Sequence, residues 1–254
     1  MSNKLFLLGD ESIAQAAIDA GISAIYAYPG TPSTEICEYI TNSVEAKEKN
    51  IVTQWCSNEK TSLECAIGVS YAGKRAITAM KHVGLNVAAD PFINSAITGV
   101  NGGLVIIAAD DPSMHSSQNE QDSRFYGKFA FMPILEPSNQ QEAYNMSLYG
   151  FELSEKYNVP VLIRVTTRLA HSRSEITRVE QQLQQKNISL PKTINQFVLL
   201  PANARKQYKQ LLNTFSLLEE ESEKSNFNKI VINSSKNIGI IASGLAYNYL
   251  MEVI

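Results

Sequence analysis

The sequence predicts an α/β fold, with a mostly parallel sheet and helices on both of its faces. Over residues 1 to about 170, short apolar runs of strand length alternate with longer stretches of helical spacing. Polar loops rich in proline, glycine and serine follow several of these runs. Such alternation is typical of β–α–β units, and ligands of these sheets bind beyond the carboxyl ends of the strands.

Local composition assigns each element. We predict apolar strands over Leu5–Leu8, Ala24–Tyr28, Ile51–Trp55, Ala76–Met80, Leu104–Ala109 and Val161–Val165. We predict helices over Ser12–Ala20, Ile36–Ala46, Glu59–Tyr71 and Gln140–Tyr157. Pro32 behind a Thr31 cap favours the start of the second helix, and Ser138 is the predicted cap of the fourth. Gly73 is suited to the carboxyl end of the third predicted helix.

Composition divides the chain into three parts. Residues 1–175 hold the α/β pattern and are predicted to form one domain. Residues 176–236 are rich in Gln, Asn, Glu, Lys and Ser, which indicates a solvated polar helical connector. The pattern of residues 237–254 indicates a strand, a turn and the start of a helix. They predict the beginning of a second, truncated α/β domain, because so few elements cannot bury a core alone.

Charge and motif content narrow the possible functions. A net charge of -3 gives no reason to expect nucleic acid or an anionic membrane as a partner. The three cysteines form no Cys-x-x-Cys pair, and no targeting segment is visible, so we expect a reducing, cytoplasmic location. The three histidines, His82, His115 and His171, lack ligand spacing, so no metal site is predicted.

The first loop of interest, Tyr28–Glu35, follows the second predicted strand. Two prolines stiffen it, Gly30 permits an unusual turn, and small hydroxyl residues lead into a helix. Backbone N–H groups at that helix start could receive an anion or a carbonyl oxygen. The alternative is an ordinary capped turn.

The second loop, Trp55–Lys60, places Glu59 at the start of a helix. A glutamate in a first helical turn is ordinarily a solvated residue that stabilises the helix dipole. If the helix packs against another domain, burial would raise the pKa of Glu59 and make it a candidate proton donor.

The third loop, Ala109–Arg124, is long and polar for a strand–helix connection. Long ordered loops at strand ends are often functional. Asp110 and Asp111 could be a metal pair, although adjacent carboxylates more often cap a turn. Arg124 is either a structural ion-pair partner or a fixed cation for a ligand.

A fourth segment, Met80–Asn86, places Lys81 and His82 at the carboxyl end of a strand. They are either solvated polar residues or part of the border of a cleft.

Together these segments resemble one family. The motifs Tyr-Pro-Gly-Thr-Pro-Ser-Thr-Glu, Ser-Asn-Glu-Lys, Met-Lys-His-Val-Gly-Leu-Asn and Ala-Asp-Asp-Pro-x-x-His-Ser-Ser-Gln-Asn-Glu-Gln-Asp-Ser-Arg occur in that order. They are similar to the amino-terminal part of the large subunit of indolepyruvate ferredoxin oxidoreductases, within the 2-oxoacid:ferredoxin oxidoreductases. The resemblance covers roughly residues 1–175.

The resemblance implies a thiamine-diphosphate-binding fold, of which this chain is the pyrimidine-binding domain. It implies that Glu59 hydrogen-bonds the aminopyrimidine N1′ and that Thr31, with Gly30 and Pro29, borders the cofactor. Arg124 would face the substrate carboxylate, for which its planar fork is suited. Lys81 and His82 are further candidates for the substrate side of the cleft.

The resemblance also implies what the chain needs from outside. No Gly-Asp-Gly motif followed by asparagine and no cysteine cluster is present, so Mg²⁺, the cofactor diphosphate and iron–sulfur clusters are expected to be held elsewhere. The implied partners are a diphosphate-binding domain of the same parent or another subunit, a small β or γ subunit, ferredoxin and a second copy of the chain. The complete enzyme would oxidatively decarboxylate indolepyruvate or another 2-oxoacid to an acyl-CoA, whereas this chain alone is expected to be inactive.

Two other hypotheses stay open from the sequence. One is a non-catalytic module that keeps the pyrimidine-domain fold for assembly. The other is an unrelated flavodoxin-like binding domain, which would require the loop matches to be coincidence.

Overall fold

The computed structural model describes residues 3–191, 193–232 and 238–254. The strands are β1 (Lys4–Leu8), β2 (Ala24–Ala27), β3 (Val52–Trp55), β4 (Ala76–Lys81), β5 (Leu104–Asp110), β6 (Ile134–Leu135), β7 (Val161–Thr166) and β8 (Arg173–Thr177). The helices are α1 (Gly9–Asp19), α2 (Thr34–Asn42), α3 (Val44–Glu48), α4 (Glu59–Tyr71), α5 (His82–Val87), α6 (Ala89–Thr98), α7 (Arg124–Phe129), α8 (Gln140–Tyr157), α9 (Thr167–His171), α10 (Pro201–Lys224) and α11 (Leu245–Met251). No helix among these residues is both long enough and apolar enough to cross a membrane.

The main sheet has six strands in the order β3-β2-β4-β5-β7-β6, and every neighbouring pair is parallel. Right-handed crossovers place helices on both faces of such a sheet. Helices α1, α2 and α8 pack together on one face, and α4, α5 and α6 pack on the other. The predicted α/β class is therefore confirmed.

The centre of the sheet is the centre of the core. Every residue of β5 is buried, and β4 and β7 are buried up to their last residues. Continuous burial of this kind requires helices on both faces, which explains why these strands are apolar runs in the sequence.

The first predicted strand lies outside this sheet. Strand β1 pairs antiparallel with β8, and the two form a separate sheet. Apolar composition identified β1 but could not identify its partner, because β8 has the polar sequence Arg-Ser-Glu-Ile-Thr.

The predicted helix Ile36–Ala46 is two helices in the structure. Ser43 adopts an extended conformation between α2 and α3, and its hydroxyl accepts a hydrogen bond from the backbone of Ala46. Ser43 thus ends one helix and caps the next.

The helix caps predicted at Thr31 and Ser138 lie one or two residues farther along the chain in the structure. Helix α2 begins after Ser33 rather than at Pro32, and the Thr31–Pro32 peptide bond is cis. Helix α8 is capped by Asn139, whose side chain accepts a hydrogen bond from the backbone of Glu142.

The polar segment after residue 175 includes a long helix that packs on the core. Leu211 and Leu218 of α10 are buried, and Phe215 contacts Phe131 edge-on with ring centroids 5.3 Å apart. The carboxylate of Glu221 accepts hydrogen bonds from tyrosine and lysine side chains of α8. The two buried leucines of α10 are seven residues apart, so one stripe of this polar helix faces inward.

The predicted strand near Ile240 is not a strand. Residues 238–243 have no strand partner in the described part of the chain, and Ile240 and Ile241 are exposed. Helix α11 follows them. The boundary predicted between residues 236 and 237 lies outside the described residues, and the division into three parts stays a prediction.

Candidate active site

The first predicted loop makes a tight turn at the carboxyl end of β2. The Gly30 amide donates to the Thr34 hydroxyl (3.0 Å), and the Gly30 carbonyl accepts from the backbone and the hydroxyl of Ser33 (2.9 and 2.8 Å). Pro29 and Thr31 are exposed at the tip of the turn. The hydroxyls of Ser33 and Thr34 therefore stabilise the turn, while Thr31 remains available to a ligand.

Glu59 lies at the first position of α4, next to the carboxyl end of β3. The Asn58 side chain caps the helix by accepting from the backbone of Thr61 (2.9 Å), so Glu59 is not needed as a cap. Only 9% of Glu59 is exposed, and its carboxylate makes no hydrogen bond or ion pair with another described residue. Glu59 is therefore less exposed than the fully solvated helix-dipole residue of the alternative interpretation.

Gly84 explains how the Glu59 carboxylate fits. A Cβ atom on Gly84 would lie 2.5 Å from Glu59 Oε1 and 2.8 Å from Cδ. Any larger residue at position 84 would force the Glu59 carboxylate to move from this contact between α4 and α5. The Met80–Asn86 segment therefore lies against the Glu59 carboxylate.

The third loop covers the ends of β2 and β4. Lys81 Nζ donates to the carbonyl of Ser116 (3.0 Å), and His82 Nε2 lies 2.9 Å from the carbonyl of Asn119. Because a carbonyl only accepts, His82 donates from Nε2. The Lys81 side chain also lies against Gly30, where a Cβ atom would be 3.2 Å from Lys81 Cδ. Lys81 thus connects the first and third loops.

Asp111 fixes the base of the third loop. Its carboxylate accepts from the Ser116 amide (2.7 Å) and from the hydroxyls of Ser117 and Thr167 (each 2.8 Å). Burial raises the pKa of Asp111, but these hydrogen bonds outweigh burial and lower it to about 2. Three donors already bind the Asp111 carboxylate. This favours its role in a capped turn over a role as a metal ligand together with Asp110.

Asp110 is also satisfied by internal partners. It is fully buried and accepts from Arg164 Nε (2.7 Å) and from the backbone of Ser123 (3.1 Å). Arg164 Nη1 also pairs with Glu136. Asp110 and Asp111 therefore hold the loop in place rather than facing an open cleft.

Arg124 lies at the first position of α7 and is paired with carboxylates. Its guanidinium contacts Asp122 (Nη2 to Oδ2, 2.7 Å) and Glu136 (Nη1 to Oε2, 3.3 Å), and the Ser243 hydroxyl lies 3.3 Å from Nη1. The side chain is 43% exposed. No hydrogen bond or ion pair in the described part of the chain connects it with Glu59 or Thr31.

The structure thus gathers most of the predicted residues at one edge of the sheet. Gly30, Thr31, Lys81 and His82 are connected through the third loop, and Glu59 joins them through its contact with Gly84. Arg124 lies farther along the same edge, with Asp122, Glu136 and Arg164.

Comparison with protein families identifies this arrangement. The family described as pyruvate flavodoxin/ferredoxin oxidoreductase, thiamine-diphosphate-binding, matches residues 15–222. The chain belongs to this family. The match includes all of the predicted site residues and most of α10, and it confirms the family expected from the loop motifs.

Relatives within the family are similar along almost the whole chain. The indolepyruvate oxidoreductase subunit IorA of Methanothermobacter marburgensis is 43% identical over 253 residues, which are 99% of this chain and 41% of that protein. The corresponding subunit of Thermococcus kodakarensis is 44% identical over 256 residues, which are 99% of this chain and 39% of that protein. The chain therefore spans about two fifths of the length of these curated relatives.

A solved structure supports the fold. The 2-oxoglutarate:ferredoxin oxidoreductase of Magnetococcus marinus, determined with 2-oxoglutarate, coenzyme A and succinyl-CoA bound, superposes with a TM-score of 0.69. The superposition covers 86% of this chain and 46% of the other, at 19% identity. The two chains thus share this α/β architecture although their sequences differ widely.

Two residues near the site, Glu136 and Arg164, were not predicted from the sequence. Glu136 follows β6 and pairs with both Arg124 and Arg164. The sequence contained one signal for both residues. Arg164 is a charged residue within the apolar run Val161–Val165, and a buried arginine requires carboxylate partners.

Proposed function

We propose that this chain supplies the pyrimidine-binding half of a thiamine-diphosphate-dependent 2-oxoacid:ferredoxin oxidoreductase. The observation that carries the proposal is Glu59, whose side chain is largely buried at the start of α4 and whose carboxylate has no hydrogen-bond or ion-pair partner among the described residues. The complete enzyme would oxidatively decarboxylate an aryl pyruvate such as indolepyruvate to an acyl-CoA. The similarity to the IorA subunits supports this substrate over shorter 2-oxoacids.

The residues present fit the pyrimidine end of the cofactor. The Glu59 side chain is largely buried, and its carboxylate accepts no hydrogen bond from the described residues, so a ligand can supply one. An aminopyrimidine nitrogen is a suitable partner, because a carboxyl group can share a proton with it. When bound, thiamine diphosphate supplies the electron sink for decarboxylation of a 2-oxoacid. Glu59 would hold the proton at N1′, and Gly84 leaves the space in which it does so.

The first loop is suited to border the cofactor and the substrate. Pro29 and Thr31 are exposed, and Gly30 is held by bonds to Ser33 and Thr34. A turn that is fixed internally positions the Thr31 hydroxyl without a loss of order on binding. Lys81 lies against this turn and provides a positive charge on the same border.

Arg124 is the proposed partner of the substrate carboxylate. Its pairing with Asp122 and Glu136 orients the guanidinium, and nearly half of the side chain remains exposed. Because Nε and Nη2 donate to Asp122 and Nη1 donates to Glu136, a substrate carboxylate would replace one of these carboxylates as the acceptor.

The proposed partners would complete the cleft. Tyr28 and Trp55, at the carboxyl ends of the paired strands β2 and β3, are 39% and 38% exposed. Exposed aromatic side chains beside a site support burial against another domain. A diphosphate-binding domain, of the same parent or of another subunit, would pack here and hold Mg²⁺ and the cofactor diphosphate. A small β or γ subunit, ferredoxin and a second copy of the chain are proposed as further partners of the complete enzyme.

The direct test is Glu59→Gln in the complete enzyme. We expect loss of most 2-oxoacid-dependent ferredoxin reduction, because an amide cannot share the proton as a carboxyl does. Glu64→Gln, an exposed glutamate of the same helix, is the matched control and should retain the rate. A full rate with Glu59→Gln would contradict the role of Glu59.

A further inference from the structure

Asp10, Glu35 and His171 come together from distant parts of the sequence. Asp10 lies in the first turn of α1, Glu35 in the first turn of α2, and His171 is the last residue of α9. One potential ligand atom from each lies within 4.8 Å of the others. The His171 Nε2 and Glu35 Oε1 atoms are 3.4 Å apart. Sequence spacing could not predict this cluster, because more than twenty residues separate its nearest members.

Asp10 is the unusual member of the cluster. Its side chain is fully buried, and neither of its oxygens has a hydrogen-bond partner among the described residues. Glu35 Oε2 is also buried without such a partner. By contrast, the fully buried Asp19 pairs with Arg178, and the fully buried Asp110 pairs with Arg164. Leaving a buried carboxylate without a donor is costly, so an unpaired one must either be protonated or bind a cation.

The local charge also lacks compensation. Arg173 is a nearby cation, but it pairs with Glu11 (3.2 Å). No lysine or arginine in the described part of the chain forms an ion pair with Asp10 or Glu35. Either a proton or a bound cation must offset the two carboxylates.

We propose that Asp10, Glu35 and His171 bind a divalent transition-metal cation of the Zn²⁺ or Mn²⁺ class. Two carboxylates and one imidazole are ligands that these ions accept, whereas Mg²⁺ and Ca²⁺ prefer oxygen ligands alone. The Glu35 and His171 side chains are 32% and 33% exposed, so an ion can enter from that side and keep a water ligand. Metal–ligand distances of about 2.0–2.2 Å require the three donors to approach to about 3.3 Å, a small side-chain adjustment.

This site is distinct from the Mg²⁺ expected with the cofactor diphosphate, and the proposal does not depend on the proposed function. The ion would connect the starts of α1 and α2 with the end of α9. Glu35 follows directly after the Gly30–Thr34 turn, so an ion bound there would also fix the loop that carries Thr31.

The test is a calorimetric titration of the EDTA-treated full chain with Zn²⁺ at pH 7. We expect one equivalent to bind, and a saturating excess should raise the unfolding midpoint by roughly 5 °C. Repeating the titration in buffers of different ionisation enthalpy should show release of about one proton per ion, because the ligands must be deprotonated. Asp10→Asn and His171→Ala should each weaken binding at least about tenfold.

Matched controls separate this site from unspecific surface binding. Glu38→Gln, on the exposed face of α2, and His115→Ala, on an exposed loop, should bind Zn²⁺ as the parent chain does. Two results would overturn the proposal. One is no binding by the parent chain beyond that of His171→Ala. The other is unchanged binding by Asp10→Asn, which would mean that Asp10 and Glu35 share a proton instead.

Discussion

Gly84 lies against the carboxyl group of Glu59, so closely that a Cβ atom at position 84 would come within 2.5 Å of Oε1. The contact joins the start of α5 to the start of α4, and thereby the Met80–Asn86 segment to the second loop. The position of the Glu59 carboxylate thus depends on a residue that carries no side chain of its own.

Gly84→Ala should therefore displace the carboxylate more than it destabilises the fold. The end of the Glu59 side chain can move, so we expect the free energy of unfolding to fall by no more than about 1–3 kcal/mol. Thiamine diphosphate affinity of the complete enzyme should fall at least about tenfold, because a hydrogen bond to a charged group is lost.

Gly68→Ala, in the same helix as Glu59, is the control, since a Cβ there meets nothing within 4 Å. It should stabilise the chain by about 0.5–1 kcal/mol. Unchanged affinity with Gly84→Ala would show that this contact does not position Glu59.

Asp111→Ala should loosen the third loop. The change leaves the Ser116 amide and the Ser117 and Thr167 hydroxyls without their acceptor, and we expect a loss of about 1–3 kcal/mol in unfolding free energy. Amide hydrogen exchange at Ser116 should become faster. Asp90→Ala removes an exposed carboxylate that pairs with Lys60, so its cost should stay below about 1 kcal/mol. Equal exchange rates at Ser116 in both variants would contradict the anchoring role of Asp111.

Arg164 and Arg124 should respond differently to substitution by alanine. Arg164 neutralises the fully buried Asp110, so Arg164→Ala should cost about 3–5 kcal/mol of unfolding free energy. Arg124 is 43% exposed, and Arg124→Ala should cost at most about 1 kcal/mol while raising KM for the 2-oxoacid in the complete enzyme. Chemical denaturation and steady-state kinetics measure the two effects. A large stability loss with unchanged KM for Arg124→Ala would make that arginine purely structural.

Glu155 should make stability depend on pH in the acid range. Burial raises the pKa of Glu155, but Arg75 and Lys186 outweigh burial and lower it to about 2. Because the folded-state pKa lies below the unfolded value, this stabilisation is complete above about pH 4.5 and is lost as the pH falls towards 2. Glu155→Gln should cost about 3 kcal/mol at pH 7, and its difference from the parent chain should shrink by more than half at about pH 2.5. Glu152→Gln, exposed on the same helix, should leave the profile unchanged. A constant difference across this pH range would contradict the paired state of Glu155.

The sequence predicted correctly those helices whose ends are set by capping and turn residues close in the chain. The bounds of α4 and α8 match the predicted Glu59–Tyr71 and Gln140–Tyr157, because capping side chains and turn residues define their ends. The break at Ser43 was missed, since serine is tolerated inside helices and becomes a cap only in the observed conformation. Strand β6 was also missed, because it has only two residues and a weak pattern.

Features that depend on distant partners could not be predicted. The antiparallel pairing of β1 with β8 and the hydrogen bonds from Lys81 and His82 to loop carbonyls require the folded chain. The loop motifs did predict which segments form the site, because they resembled a family. The burial of Glu59 then required the contact with Gly84, which no sequence periodicity indicates.

The central claim is that this chain supplies the pyrimidine side of a shared cofactor site. The most direct measurement is a calorimetric titration of the chain with thiamine diphosphate and Mg²⁺, with and without a polypeptide matching the part of the relatives that the chain does not cover. We predict binding only when both polypeptides are present, and loss of that binding with Glu59→Gln. Tight binding by this chain alone would contradict the claim, because the cofactor diphosphate would then be held within these 254 residues.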